Sequence, residues 1–329
     1  MGLFSKLWGA VGSSNPTDDY ERGVLPCASC RYEMPLEKLE PLKMVRCPKC
    51  QDISFVPLGI AHFWLFRPLG AGGMGSVYEA YHSDAPGQFF AVKILPREER
   101  RRPSLIQALV NEASKARIIG NHPCLVSCVA SGFEDGEYFC ALEFIKGENL
   151  EHRIEMRGKF TEREVLQIAL HILAGEQHMF NCGYLYRDLK PENVILNDKG
   201  YAVMFDYGLC VPLDEAKDPG EEFISGSPYY LPPERLWGTG EGAFSEIYSL
   251  GMVMYTALTA KTYYDAAEAE SLARRHVSQV RLATSAKMRE FRPELVHVLS
   301  TMIKQDPGER YQTFADCKAE LKYLLDNLS

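Results

Sequence analysis

Apolar and polar positions change rhythm twice along the chain. "MGLFSKLWGAVG", residues 1–12, puts Leu3, Phe4, Leu7, Trp8 and Val11 at spacings of three and four, one apolar side of a short helix. A terminus docked on its own protein is the simplest reading; a peripheral membrane or partner-binding helix is the alternative, since Trp and Leu on one face suit an interface. Lys6 stands where the lipid-attachment pattern wants Ser or Thr, which argues against myristoylation of Gly2. The polar run "SSNPTDD" then reads as a linker. From about Phe63, short runs such as "FWLFRPLG", "SVYEAY" and "FFAVKIL" have strand character. From Glu162 onward helical periodicity dominates, as in "EVLQIALHILAGEQHMF". A small β-rich lobe followed by a larger helical lobe predicts an α+β architecture with a cleft between the lobes. The expected divisions are a terminal segment and linker over 1–20, a cysteine-bearing module over 21–60 and a main domain over 61–329, its small lobe about 61–147 and its large lobe about 148–329.

Composition narrows the class of protein. Apolar residues make up 46% of the 329 and charged residues 24%, values of a folded, soluble chain. A formal charge of −8 argues against a general nucleic-acid partner, which needs a basic face. No apolar run approaches the ~18–20 residues of a membrane span. The N-terminus also lacks a secretory signal pattern, so a cytoplasmic location is expected. Of ten cysteines, six are scattered; Cys124, Cys128 and Cys140, among apolar neighbours, read as buried free thiols. That distribution suits a reducing compartment with one metal site.

The remaining four form that site. In "CASCRYEMPLEKLEPLKMVRCPKC", Cys27 and Cys30 share one tight turn, and sixteen intervening residues lead to a second turn with Cys47 and Cys50. Four thiolates can close a tetrahedron around Zn²⁺, with no position left open. A thioredoxin-like redox pair would use one C-x-x-C, and the compartment disfavours two local disulfides. The segment resembles a zinc ribbon. No candidate nucleophile lies between the knuckles, so the metal is expected to be structural, stapling a module too small for a core of its own.

"LGAGGMGSVYEAY" spaces Gly70, Gly72 and Gly75 as G-x-G-x-x-G. A dinucleotide-binding loop would continue as a helix, yet Val77 to Ala80 continue as a strand. A P-loop would need Lys where Ser76 stands. What remains is a glycine-rich hairpin whose bare backbone can close over a triphosphate. Beyond it, "FAVKIL" sets Lys93 in an apolar strand, where a lone ammonium is costly unless it meets an anion. Glu112, on the following helix, can supply one.

With these residues the sequence, from about 63 to 325, resembles the eukaryotic-like (Hanks-type) serine/threonine protein kinases. The resemblance implies that Lys93 holds the α- and β-phosphates of ATP and that Glu112 orients it. The loop Tyr186-Arg187-Asp188-Leu189-Lys190-Pro191-Glu192-Asn193 corresponds to the family's H-R-D-L-K-P-x-N. By resemblance Asp188 accepts the substrate hydroxyl's proton, Lys190 neutralises the γ-phosphate, and Asn193 and Asp206 (of "FDYGL") bind Mg²⁺ or Mn²⁺. Tyr207 stands where Phe is usual, so its hydroxyl needs a partner. Glu143 and Ile145 are implied as backbone contacts to adenine, with Leu142 as gatekeeper, and Val77, Ala91 and Ile195 as apolar slices around the base. Pro232-Pro233-Glu234 replaces A-P-E, and Arg310 is the expected partner of Glu234. That segment implies protein substrates rather than small molecules.

Two features are read with particular expectations. Glu246 stands where the family carries Asp beneath the catalytic loop, so an extra methylene must be absorbed. Arg187 leaves a positive charge facing the activation segment, which a phosphate would satisfy; Ser225 is the candidate, with Ser227 expected to contact the catalytic loop and Glu221 and Glu222 as standing negative charge. The functional expectation is ATP-dependent phosphorylation of Ser/Thr in proteins, with autophosphorylation. The alternative is a catalytically weak scaffold or regulatory module, which would usually show a broken lysine, base or metal ligand. None is broken here.

Overall fold

A computed structural model of the chain describes residues 16–72, 75–217, 226–264, 276 and 287–328. The apolar stretch 1–12 considered for membrane contact lies outside the described residues. Two compact units make up the rest: 16–113 with 128–144, and 114–127 with 145–328. Among the described residues no helix is long and apolar enough to cross a membrane.

The first unit opens with α1 (Pro16–Glu21) and two small antiparallel hairpins, β1 (Val24–Pro26) with β2 (Glu33–Pro35) and β3 (Met44–Arg46) with β4 (Ile53–Phe55). Three-residue strands bury little. Their core is Leu25, Met34 and Val56 together with Cys27 and Cys47. The chain then enters a six-stranded antiparallel sheet: β5 (Leu58–Ile60), β6 (Phe63–Gly72), β7 (Gly75–His82), β8 (Phe89–Ile94), β9 (Cys128–Glu134) and β10 (Glu137–Glu143), in spatial order β5-β6-β7-β8-β10-β9.

Alternation sorts the strand "FFAVKI" by face. Phe90, Val92 and Ile94 enter an apolar core with Phe63, Leu65, Ala80, Phe139 and Ala141, while Ala91 and Lys93 take the opposite face. Leu42 and Leu58 pack on that same core, and Phe55 meets Tyr78 with ring centroids 6.3 Å apart. Tyr20 lies on Trp64 at 5.5 Å. The cysteine module is therefore docked on the sheet as well as joined to it through β5. α2 (Pro103–Ile119) brings Leu109 and Ala113 against Leu95 and Cys140.

The second unit is helical around a buried centre. α3 is Leu150–Arg157. α4 (Glu162–Asn181) starts at a capping box in which Thr161 and Glu164 satisfy each other's backbone N–H groups. It buries Val165, Leu166, Ile168, Ala169, Ile172, Leu173 and Met179, the stripe that helical spacing predicts. After the short helices α5 (Leu213–Lys217) and α6 (Pro233–Trp237), α7 (Ala243–Thr259) is buried all round from Ser245 to Leu258, the pattern of a helix inside a core. α8 (Pro293–Met302) packs on α7, and α9 (Phe314–Asp326) on α4. Helical periodicity dominates beyond Glu162, as the sequence predicts. The structure adds short strands around the chemistry-bearing loops: β11 (Gly147–Asn149), β13 (Val194–Asn197) and β14 (Ala202–Met204) in one sheet, and β12 (Tyr184–Leu185) with β15 (Val211–Pro212). Strands of two to four residues are too short to show a period.

Candidate active site

In the first unit, β6 and β7 form the glycine-rich hairpin, with Gly70 opposite Val77 and Gly72 opposite Gly75. β7 runs on as a strand, which excludes the dinucleotide-binding turn. Gly75 has φ +143°, and a Cβ there would lie 2.6 Å from the Ile94 carbonyl oxygen. Only glycine fits both constraints. Val77 is opposite Lys93, and Ala91 opposite Leu142, so these four side chains share one face of the sheet. Lys93 Nζ donates to Glu112 Oε2 at 2.6 Å, and both residues are buried. The anion demanded by an ammonium in an apolar strand is thus present. Glu143 ends β10 opposite Phe90.

The second unit carries the rest. Ile195 lies on β13 opposite Val203, and Ile145 just precedes β11. Asp188 is 7% exposed. Its carboxylate accepts from Lys190 Nζ at 2.9 and 3.2 Å and from Asn193 Nδ2 at 2.8 Å, and its carbonyl accepts from the same Nδ2 at 3.0 Å. Burial pushes its pKa up, while Lys190 and Asn193 pull it back. Because Asn193 spends its amide nitrogen on Asp188, its amide oxygen is the face left for a cation. That oxygen and the Asp206 carboxylate are hard oxygen donors of the kind that suit Mg²⁺. Asp206 has φ +70° and accepts from the backbone N–H of Gly208 at 3.2 Å; Arg187 has φ +67°. Left-handed backbone at two non-glycine residues of one site is conformational strain, of the kind that collects where geometry matters.

The tyrosines that replace the family's His and Phe are both accommodated. Tyr207 donates to the Val126 carbonyl at 2.7 Å, and Tyr186 to the Phe205 carbonyl. Glu234 and Arg310 form the expected pair, bidentate at 2.7 and 2.9 Å and fully buried. Ser227 is half-buried; Ser225, Glu221 and Glu222 lie outside the described residues.

Beneath the loop, Glu246 Oε1 accepts the Arg187 backbone N–H at 3.0 Å, so the longer acid still supports the loop. Its other oxygen has no hydrogen-bond partner among the described residues, and neither oxygen of Glu176, on the buried stripe of α4, has one. Burial raises Glu246 to about 7, opposed by Arg235, and burial together with the Glu246 charge raises Glu176 well above the ordinary glutamate value. Both shifts are upward, so folding favours the protonated acids. For Glu246 the stability contributed by the protonated acid is complete below the ordinary glutamate value of 4.5 and is lost as pH rises from there to about 7; Glu176 acts in the same direction. Glu176→Gln should therefore flatten the fall in melting temperature between about pH 5 and pH 7 by a few degrees. Parallel slopes for parent and variant would show that the pair does not titrate there.

One expectation is corrected. Arg187 does not present an uncompensated charge: its Nη2 lies 2.9 Å from Glu241 Oε1, both side chains being buried. Glu241, Arg235 and Glu176 were not foreseen as site residues. An acid on the apolar stripe of α4 was the available sign of Glu176; nothing in "GTGEGAF" signals that its glutamate turns inward.

The cysteine module has a site of its own. Its two knuckles repeat one geometry. The Arg31 N–H donates to the Cys27 carbonyl and Cys27 N–H to the Tyr32 carbonyl, both at 2.9 Å; Gln51 and Asp52 do the same around Cys47 at 2.9 and 2.8 Å. Arg31 and Gln51 both adopt positive φ, +58° and +63°. The four sulfurs lie within 4.8 Å of one another, with Cys27–Cys50 at 3.5 Å and Cys30–Cys47 at 3.6 Å. A tetrahedron with Zn–S bonds of about 2.3 Å has edges of about 3.8 Å, so the donor set fits zinc.

The protein kinase domain family matches residues 63–321. The chain is 28% identical over 265 residues to serine/threonine-protein kinase PrkC of Bacillus subtilis (strain 168), covering 80% of this chain and 40% of that protein. It is 29% identical over 218 residues to probable serine/threonine-protein kinase pknA2 of Bifidobacterium longum, covering 65% of this chain and 28% of that one. A RAC family serine/threonine-protein kinase homolog of Dictyostelium discoideum is 27% identical over 258 residues, covering 77% and 56%. The chain thus spans less than two thirds of the length of each of these relatives.

Proposed function

The chain belongs to the protein kinase family, and from that premise we propose that it transfers the γ-phosphate of ATP to Ser and Thr hydroxyls of proteins, its own included. The observation that carries this reading is the Asp188 carboxylate, buried and held by Lys190 and Asn193 within 3.2 Å. A carboxylate fixed this way can orient a hydroxyl and take its proton as the oxygen attacks phosphorus. Lys190, already at that carboxylate, supplies positive charge where the transferred phosphate becomes more negative. Asp206 and Asn193 would hold Mg²⁺ or Mn²⁺, which neutralises phosphate charge and fixes its geometry. Lys93, oriented by Glu112, would engage the α- and β-phosphates under the Gly70–Gly75 hairpin. Val77, Ala91 and Ile195 would contact adenine, and the backbone of Glu143 and Ile145 would pair with its edge. No break in this set favours the weak-scaffold alternative. Phosphotransfer to a generic Ser/Thr peptide, compared with a panel of metabolite alcohols, tests the reading; turnover of a metabolite and not of peptide would overturn it.

For the module at residues 21–60 the proposal is one structural Zn²⁺ held by Cys27, Cys30, Cys47 and Cys50. Elemental analysis should return one zinc per chain. Because Leu42, Leu58 and Phe55 lie on the sheet of the first unit, losing the metal also loosens that sheet's cover. Cys47→Ser with Cys50→Ser should lower the melting temperature by several degrees, at about 2–4 °C per kcal/mol for a domain of this size. Metal-free protein that melts like the parent would rule this out. A cytoplasmic location and protein substrates without nucleic acid complete the reading, on the basis of net charge and composition.

A further inference from the structure

Arg187 sits beside the catalytic aspartate and is tied down twice. Its guanidinium lies 2.9 Å from Glu241 Oε1. Its carbonyl accepts from Arg235 Nη1 at 2.6 Å. Arg235 in turn donates Nε and Nη2 to Glu241 Oε2, at 2.9 and 2.6 Å. One carboxylate therefore bridges two arginines, one oxygen facing each, and the second arginine closes the ring on the loop's own backbone. All three side chains are 7% exposed or less. Glu241 is held by more than its charges, since its backbone N–H donates to the Ala216 carbonyl at 2.8 Å. Gly226 also lies close against this ring: a Cβ there would come within 3.4 Å of Arg235 Nη1 and 3.8 Å of the Arg187 carbonyl oxygen.

We propose that Glu241 is a positioning residue that does from within the chain what a phosphate on the activation segment would do for Arg187, so that turnover does not require phosphorylation between Asp206 and Glu234. This rests on the kinase reading of the same site. A phosphoryl group brings a charge of about −1.5 to −2 and three acceptor oxygens, and an arginine free to turn toward solvent is what it needs. Arg187 is not such an arginine. To meet a phosphate it would have to leave Glu241, stranding a carboxylate that is 1% exposed with Arg235 as its remaining partner. Removing one partner of a buried charge pair carries a large cost, so the exchange is unfavourable. Fixing Arg187 through both its side chain and its carbonyl fixes the residue preceding Asp188, and a small displacement of a catalytic group is expensive in rate.

The test compares the parent, as purified and after phosphatase treatment, in initial-rate phosphotransfer to a peptide, with intact mass recorded before and after. Treated parent should keep its kcat within about two-fold. Glu241→Gln should lower kcat by about 10²-fold, leave the KM for ATP within a few-fold and be partly rescued by Glu241→Asp. In an Arg187→Met background Glu241→Gln should cost clearly less than in the parent, because the arm through the Arg187 side chain is already gone and only the Arg235 arm to the backbone carbonyl remains. A purely architectural role would instead give additive losses. Parent that loses turnover when dephosphorylated and regains it with a phosphate on this segment would overturn the proposal, even if Glu241→Gln failed to fold. Parent that transfers no phosphate in any state would instead overturn the kinase reading.

Discussion

Asp188→Asn removes phosphotransfer, lowering kcat by about 10²–10⁴-fold, while affinity for ATP with Mg²⁺ stays within a few-fold of the parent. The split follows from what Asp188 touches. Its partners are Lys190 and Asn193, and its assigned task is the hydroxyl's proton, whereas nucleotide and metal are assigned to other groups. Asparagine keeps the shape and the acceptor oxygen facing Asn193 but has no basic lone pair to take a proton. Lys190 loses its charge partner, so part of the loss is a less well placed ammonium. Isothermal titration with ATP and Mg²⁺, set beside single-turnover transfer, separates the two effects. An asparagine variant that keeps turnover would remove Asp188 from the mechanism.

Lys93→Met lowers kcat/KM for ATP by about 10²–10³-fold, the scale for losing one pre-organised donor at a developing charge. Unlike Asp188→Asn, it should weaken nucleotide binding too, because Lys93 is assigned to the phosphates directly. Stability falls as well, since the Glu112 carboxylate, 4% exposed, loses a partner at 2.6 Å. Removing one partner of a buried charge pair costs about 3–5 kcal/mol, less what the acid recovers by taking up a proton or from its other contacts. Glu112→Gln makes the complementary cut: the ammonium stays, its orientation is loosened, and the kinetic loss should be smaller than that of Lys93→Met. Equal nucleotide affinity in parent and Lys93→Met would contradict the phosphate assignment.

Much of the candidate site is legible in the sequence because its chemistry lies in short, contiguous runs. "YRDLKPEN" carries carboxylate, ammonium and amide within eight positions, and local backbone brings them together. Lys93 and Glu112 are farther apart, but burying an ammonium in a strand requires an anion, and the next helix offers one. The paired knuckles encode the four-cysteine cluster in the same local way, as two copies of one turn. Strand and helix rhythm likewise established the order of the two lobes, since each apolar period is read from neighbours in the chain.

What the sequence could not show is how distant polar groups are paired off in the interior. Glu241 and Arg235 lie about fifty residues from Arg187, one in a loop and the other in the short helix Pro233–Trp237, and only the packing of α7 and its entry brings them to the catalytic loop. Glu176 interrupts an apolar stripe without saying which group it faces; α4 and α7 packing face to face set it near Glu246. The cysteine module's docking face is likewise a tertiary result, because Leu42, Phe55 and Tyr20 are ordinary apolar residues until the sheet supplies Trp64, Tyr78 and their neighbours. Local runs determine which reactive groups exist and in what spacing, through backbone geometry alone. Which charges are neutralised, and by which carboxylate, is decided by desolvation in the folded interior, where each buried ion must find a partner from whatever part of the chain packs beside it.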